Sequence, residues 1–340
     1  MVIVMQTGAT DSELAGLVEA VRTAGGDAFV SRGVNRTIVG VVAGEDVLEA
    51  LDVLPLAGVA EVIRITSPYK LVSRENHPRT STVHVGGVPI GPETFTLIAG
   101  PCAVESLEQT AEAAQLAKEA GAQLLRGGAY KPRTSPYAFQ GLGVAGLKIL
   151  AEVSAAVGLP VVTEVVDAAD VSTVAEYADM LQVGTRNMQN FALLQAVGAA
   201  GKPVLLKRGL TATYEEWLMA AEYVAQRGNL DIVLCERGVR GFETSIRNML
   251  DISAVPMMHD LSHLPIIIDP SHAAGRRDLV VPLTRAAIGA GADGVIVDVH
   301  AHPELARCDG PQALFGDTLD ELADAVRRWP PLMGRGQLSS

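Results

Sequence analysis

Arg126, Lys131, Arg186, Lys207 and Arg237 each stand at or shortly after the C-terminal end of a short apolar run. Cations gathered at such positions predict an anionic ligand, because Arg offers a planar fork to phosphate or carboxylate and Lys a compact point charge. Taken singly, each reads equally well as a solvated loop charge; their recurrence at equivalent positions favours a shared site. Lys131-Pro132-Arg133-Thr134-Ser135 reads as a second anion clasp, with two cations and two hydroxyls in succession. Metal-ligand types recur at the same kind of position. Cys102, His272, Asp298 and Asp309 offer sulfur, nitrogen and oxygen donors, a mixed set that suits Mn²⁺, Fe²⁺, Co²⁺ or Zn²⁺. No paired-cysteine spacing marks a metal site, and a lone Cys is ordinarily a small buried thiol. Cys102 is set apart by its context, Gly100-Pro101-Cys102-Ala103-Val104-Glu105-Ser106, which reads as a strand-to-helix turn. Glu164, Glu236, Asp269 and His300 also follow apolar runs. His300 reads as a supporting or substrate-contacting group, and His259, His263 and His302 as loop histidines.

These side chains meet only if the elements carrying them close on one another. Eight apolar runs recur at residues 96–99, 123–125, 160–162, 180–183, 204–206, 232–234, 266–268 and 295–297, separated by amphipathic segments. Eight strand–helix repeats in about 240 residues predict a (β/α)₈ TIM barrel, whose chemistry collects at the C-terminal ends of its strands. A doubly wound open sheet is the alternative, but no G-x-G-x-x-G follows the first run. Alternation along the last strand turns Ile296, Asp298 and His300 to one side. Ser106 with Gln109 reads as a capping box, and Gly121 as the stop of that helix. The first seventy residues have a different rhythm. A strand at 2–5, a helix opened by Thr10 and Glu13 and stopped at Gly25-Gly26, strands at 28–30 and 37–42, a helix at 47–54 and a strand at 59–65 give the β-α-β-β-α-β order of a ferredoxin-like α+β domain. The expected organisation is therefore a ferredoxin-like domain at 1–70, a linker and short hairpin at 71–92 with its turn at Gly86-Gly87, a barrel at 93–330 and a tail at 331–340.

Composition narrows the class. Hydrophobic residues make up 48% of the 340, enough for a large core, and with aromatics at only 4% Val, Leu, Ile and Ala must fill it. Lys and Arg total 27 against 39 for Asp and Glu, a net charge of −12, and an acidic chain with no basic block is a poor nucleic-acid binder. No apolar run reaches the ~18 residues of a membrane helix, and the first residues lack a signal peptide's basic flank and long apolar stretch. Cys102, Cys235 and Cys308 cannot build a disulfide framework. A cytoplasmic protein is expected.

At this point the residues resemble a known family. Gly100 to Ser106, Leu125-Arg126-Gly127-Gly128-Ala129-Tyr130-Lys131-Pro132-Arg133-Thr134-Ser135-Pro136, Gly184-Thr185-Arg186-Asn187, Leu206-Lys207-Arg208-Gly209, Cys235-Glu236-Arg237-Gly238 and Asp269-Pro270-Ser271-His272 are similar to the motifs of 3-deoxy-D-arabino-heptulosonate 7-phosphate (DAHP) synthases. The type resembled carries an N-terminal ferredoxin-like regulatory domain, and the likeness runs from about residue 1 to about residue 328. The Lys-Pro-Arg-Thr-Ser clasp separates it from 3-deoxy-manno-octulosonate 8-phosphate synthases, which carry Ala-Asn-Arg-Ser-Ser there. The resemblance implies a metal-dependent transferase that condenses phosphoenolpyruvate with erythrose 4-phosphate, the first step of the shikimate pathway to aromatic amino acids. It implies phosphoenolpyruvate on Arg126, Lys131, Arg186, Lys207 and Arg237, and the sugar phosphate on Arg133, Thr134, Ser135 and Arg276. Glu164 joins the substrate contacts. Cys102, His272, Asp298 and Asp309 would hold the metal, with Lys131, Cys102 and His272 as catalytic residues and Lys131 as proton donor. A homo-oligomer, tetrameric by resemblance, and feedback by Tyr or Phe are also implied. Two residues depart from the family pattern: Asp298 stands where Glu is usual, and Cys308 where Ser is usual. The alternatives are a synthase for another aldose phosphate and a non-catalytic aromatic amino-acid sensor; the clasp speaks against the first, and retention of Cys102, His272, Asp309 and the five cations against the second.

Overall fold

The computed structural model describes residues 1–32, 37–63, 68–133 and 135–336. They form two compact units, Met1–Lys70 and Leu71–Ser340. In the first, β1 (Val2–Met5), α1 (Asp11–Thr23), β2 (Asp27–Arg32), β3 (Thr37–Val42), α2 (Glu45–Ala50) and β4 (Val59–Ile63) follow in ferredoxin-like order. The sheet is antiparallel, in the order β2-β3-β1-β4. Thr10 and Glu13 close a complete capping box at the start of α1, and Leu14, Leu17 and Val21 of that helix bury against Ile3, Met5, Val39 and Val41. Helix α2 ends earlier than its apolar pattern suggests, with Leu51 already extended; Pro55, which disfavours helix in the residue before it, limits any continuation. Residues 64 and 65 of the expected last strand lie outside the described residues.

The second unit opens with a hairpin of β5 (Val83–Val85) and β6 (Val88–Ile90). Eight parallel strands then close into a barrel in chain order: β7 (Thr96–Gly100), β8 (Leu124–Arg126), β9 (Val161–Val165), β10 (Met180–Val183), β11 (Val204–Lys207), β12 (Ile232–Glu236), β13 (Ile266–Ile268) and β14 (Gly294–Asp298), with β14 pairing back to β7. The helices between and around them are α3 (Leu107–Glu119), α4 (Val144–Val157), α5 (Val171–Tyr177), α6 (Phe191–Ala199), α7 (Tyr214–Ala225), α8 (Ala254–Leu261), α9 (Pro270–Ala274), α10 (Arg277–Ala290) and α11 (Gly316–Leu332). Among the described residues, no helix is long and apolar enough to cross a membrane. The capping box expected at α3 is only half made. Ser106 accepts from Gln109 N at 3.1 Å, but the Gln109 side chain turns to Glu105 N instead of Ser106.

Val83, Val85 and Ile90 of the hairpin pack against the lowest interior layer of the barrel, which includes Ile98, Leu124, Val162, Met180, Leu205, Cys235, Ile267 and Ile296. The segment leading into the hairpin is held by buried polar groups. Glu222 accepts from Leu71 N and Val72 N. His263 Nε2 faces the Leu71 carbonyl at 3.0 Å, so it carries the proton, and Nδ1 accepts from the Ser81 hydroxyl at 2.7 Å. Burial, with the neighbouring His77, pushes the His263 pKa down to about 4.

Candidate active site

The side chains of the site follow from the pleat. Two residues beyond the apolar member of the interior layer, the same face turns polar at seven of the eight strands, and at β7 it is Gly100. Ile98 leads to Gly100, Leu124 to Arg126, Val162 to Glu164, Met180 to Gln182, Leu205 to Lys207, Cys235 to Arg237, Ile267 to Asp269 and Ile296 to Asp298. Gly100 is required where it stands. Its φ is +153°, and a Cβ would collide with the backbone of Arg126. The chain can therefore turn sharply into Pro101-Cys102. Residues of opposite parity leave the site: Arg208, next to Lys207, pairs with Glu236 at 2.9 Å and Asp251 at 2.8 Å and stacks on Tyr214.

Above the polar layer lies a cleft of about 520 Å³. It is lined by Arg126, Lys131, Arg133, Arg186, Lys207 and Arg237, and by Ser135, Glu164, His272 and Asp309. Thr134 lies outside the described residues. The cations fall into two classes. Arg126 and Lys207 are buried and paired, Arg126 with Asp298 and Lys207 with Asp269. Among the described residues neither Arg186 nor Arg237 forms an ion pair, and burial, with Arg247 and Arg186 nearby, lowers the Arg237 pKa from its ordinary value. Burial is the main cause and the neighbouring cations add to it, against the opposing pull of Asp269, so an anion beside Arg237 would raise the pKa again. Lys131 donates to Cys102 O at 2.9 Å and lies 3.1 Å from Cys102 Sγ. Burial alone would lower its pKa, but Cys102 and Cys308 raise it overall, so the ammonium stays charged.

Cys102, His272, Asp298 and Asp309 bring one donor atom each to within 4.8 Å of all the others. Cys102 Sγ is 3.7 Å from His272 Nε2 and 3.1 Å from Asp309 Oδ2, while His272 Nε2 is 3.6 Å from Asp298 Oδ2 and 3.8 Å from Asp309 Oδ2. Two donors on one tetrahedral ion with bonds of about 2.0–2.3 Å lie roughly 3.3–3.8 Å apart; the separations of 3.6, 3.7 and 3.8 Å fall in that range, and the donor types suit a divalent cation. The shorter Asp298 still brings its carboxylate to this set. Asp269 lies behind it: His272 Nδ1 is 2.9 Å from Asp269 Oδ2, which leaves Nε2 facing the other donors. Burial opposes the charge on His272, but Asp269 and Asp298 raise its pKa to about 9. Burial also opposes the charge on Asp309, yet His272 and Arg247 hold its carboxyl below the usual range. A hydrogen bond with Cys308, and then burial, push the Cys102 thiol well up.

Two expected residues lie elsewhere. Arg276 does not line the cleft; its guanidinium is exposed and paired with Asp278 at 2.7 Å, the nearest carboxylate along its own chain. His300 lies past the end of β14 and also falls outside the cleft lining, with Nδ1 accepting from His302 N at 3.0 Å. In the place expected for Arg276, Arg240 and Arg247 line the cleft from the loop after β12, and Arg247 pairs with Asp309 at 2.9 Å. Sequence reasoning passed over these two, along with Gln182, Gln312 and the pairing role of Asp269. A polar residue inside an otherwise apolar run was the available signal for Gln182.

A model of the DAHP synthetase I family matches residues 71–330, and one of the DAHP synthase ferredoxin-like domain matches residues 1–67. The chain belongs to the DAHP synthetase I family. A phospho-2-dehydro-3-deoxyheptonate aldolase of Thermotoga maritima is 48% identical over 334 residues, covering 98% of this chain and 99% of the relative. The crystal structure of a Thermotoga maritima DAHP synthase superposes with a TM-score of 0.79 at 47% identity, over 99% of each chain. A 2-dehydro-3-deoxyphosphooctonate aldolase of Magnetococcus marinus is 36% identical over 270 residues, covering 74% of this chain and 92% of the relative. The ferredoxin-like domain thus accompanies the heptonate relative, whose match spans nearly the whole chain.

Proposed function

We propose that this chain is a DAHP synthase, condensing phosphoenolpyruvate with erythrose 4-phosphate and water to give DAHP and inorganic phosphate, the entry to the shikimate pathway. The observation that carries the reading is the juxtaposition, in one barrel mouth, of a crowded set of cations with four convergent metal donors. Arg126, Lys131, Arg186, Lys207 and Arg237 hold the phosphate and carboxylate of phosphoenolpyruvate. Arg133, Ser135 and the adjacent Thr134 hold the sugar phosphate, and Arg276, turned onto Asp278, is left out of the set. Glu164 borders the same cleft. C3 of phosphoenolpyruvate attacks the aldehyde carbon, water adds at C2, and the C2–O bond to phosphate breaks. A divalent ion of the Mn, Fe, Co or Zn class on Cys102, His272, Asp298 and Asp309 supplies Lewis-acid polarisation of the aldehyde. Lys131, charged and 3.1 Å from Cys102 Sγ, is the proton donor to the oxygen that gains negative charge. Residues 1–70 bind Tyr or Phe and give feedback control, and the working form is a cytoplasmic homo-oligomer.

The test is phosphate release measured with both substrates, with and without chelator. Turnover that requires erythrose 4-phosphate and stops on chelation is expected; turnover only with a five-carbon aldose phosphate would assign the chain to the octulosonate chemistry instead.

A further inference from the structure

Asp298 is pulled two ways. One oxygen, Oδ1, pairs with Arg126, and the other, Oδ2, faces His272 Nε2 at 3.6 Å. A carboxylate beside an arginine prefers to present both oxygens to the guanidinium fork, and that rotation would turn Oδ2 away from Cys102, His272 and Asp309. What opposes it is Gln312, fully buried, whose Nε2 donates to Oδ2 at 2.6 Å. The amide orientation is set by this contact, because the reversed amide would aim oxygen at oxygen. Gln312 Oε1 in turn has no hydrogen-bond partner and is itself buried, so the amide is held there for what its nitrogen does.

The loop is built to present that nitrogen. Asp309 is the only non-glycine residue with positive φ among the described residues, at 55°. It starts a tight turn over Gly310–Gln312, so one turn carries a metal donor at its start and the amide at its end. Leu314 N donates to Asp298 O at 2.8 Å, and His300 N to Leu314 O at 3.2 Å, lacing the loop to the end of β14. Arg277 anchors it from outside, donating to Ala313 O at 2.5 Å and Gly310 O at 3.1 Å.

We propose that Gln312 is a positioning residue that keeps Asp298 Oδ2 turned toward Cys102, His272 and Asp309 against the pull of Arg126, and so sets the affinity of the ion those four hold. The proposal rests on the metal reading of the site. A neutral donor suits the task, since it orients the carboxylate without adding a charge that would repel a cation.

The test is titration of the full-length protein with Mn²⁺ and Zn²⁺ against a chromophoric chelator, in the unmodified chain and in Gln312→Met, which keeps length and volume but loses the donor. The expected result is binding weakened by about 10- to 100-fold, in a metal-free protein that still unfolds cooperatively but melts somewhat lower, because buried Asp298 has lost one donor. In turnover, the ion concentration for half-activation rises by the same factor while kcat at saturating ion recovers. Gln312→Asn, whose amide is one methylene short of Oδ2, carries the same expectation if Gln312→Met does not fold. Binding as tight in the variants as in the unmodified chain would overturn the positioning role and leave the metal site standing. An unmodified chain that binds neither ion would overturn the metal reading itself, and the proposal with it.

Discussion

Acidification will reveal how residues 71–81 are held to the barrel. His263 is neutral in the folded chain, with its pKa pushed down from 6.5 to about 4, because a second ring proton would have to be buried beside His77, whose ring centroid is 4.3 Å away. The unfolded chain takes that proton near pH 6.5. Between these values unfolding binds one more proton than folding, so stability is complete above pH 6.5 and falls as pH drops toward 4. Each pH unit costs about 1.4 kcal/mol, and the loss from pH 7 to about pH 4.5 comes to about 2.5 kcal/mol. His272 has the opposite sign: its pKa is raised to about 9, so its contribution is complete below pH 6.5, is lost as pH rises through 9, and adds no acid slope. His263→Gln keeps one donor for Leu71 and one acceptor for Ser81 but does not titrate in this range. Urea unfolding should be followed by tryptophan emission, since Trp217 is fully buried in α7, at several pH values for both proteins. The unmodified chain should lose about one proton's worth of slope more than the variant. Parallel acid dependences would refute the reasoning.

Arg186→Ala and Lys207→Ala should each lower kcat/KM by at least ~100-fold. Only Lys207→Ala should also lower the melting temperature, because it strips a buried partner from Asp269 whereas Arg186 is exposed and forms no ion pair among the described residues. Asp269→Asn removes the carboxylate shared by His272 and Lys207; chelator competition should show metal binding weakened by about 10- to 100-fold, and unchanged binding would show that His272 needs no such support. Removing residues 1–70 should leave turnover intact and abolish inhibition by Tyr or Phe in steady-state assays, and an intact chain that ignores both amino acids would end the regulatory reading.

The barrel was legible because its strands are fully buried and write themselves as uninterrupted apolar runs, and the polar residue that ends each run points to the mouth. Lys207, Arg126 and Asp298 are found that way from parity alone, and the same count of two from Met180 and Ile267 reaches Gln182 and Asp269. Loops obey no such count. Arg247 and Gln312 reach the site from segments whose path is fixed by tertiary hydrogen bonds, so spacing along the chain says nothing of their direction. Arg276 shows the converse: it follows α9 rather than the end of β13, and is captured by Asp278, two residues away. The Ser106 box failed for a similar reason, since Gln109 found Glu105 N as a competing donor.

The β5–β6 hairpin has a consequence for traffic. Val83, Val85 and Ile90 pack against the apolar interior layer, so the end of the barrel away from the cleft is closed by packed side chains. Arg126 and Lys207 are buried in the cleft, whereas Arg133 is half-buried and Ser135 exposed, so a molecule seated on the outer residues would stand in front of the deeper pair. On the proposed assignment of the two sites, the guest of the buried pair would therefore have to be seated before the rim is filled, and released phosphate would leave by the same mouth.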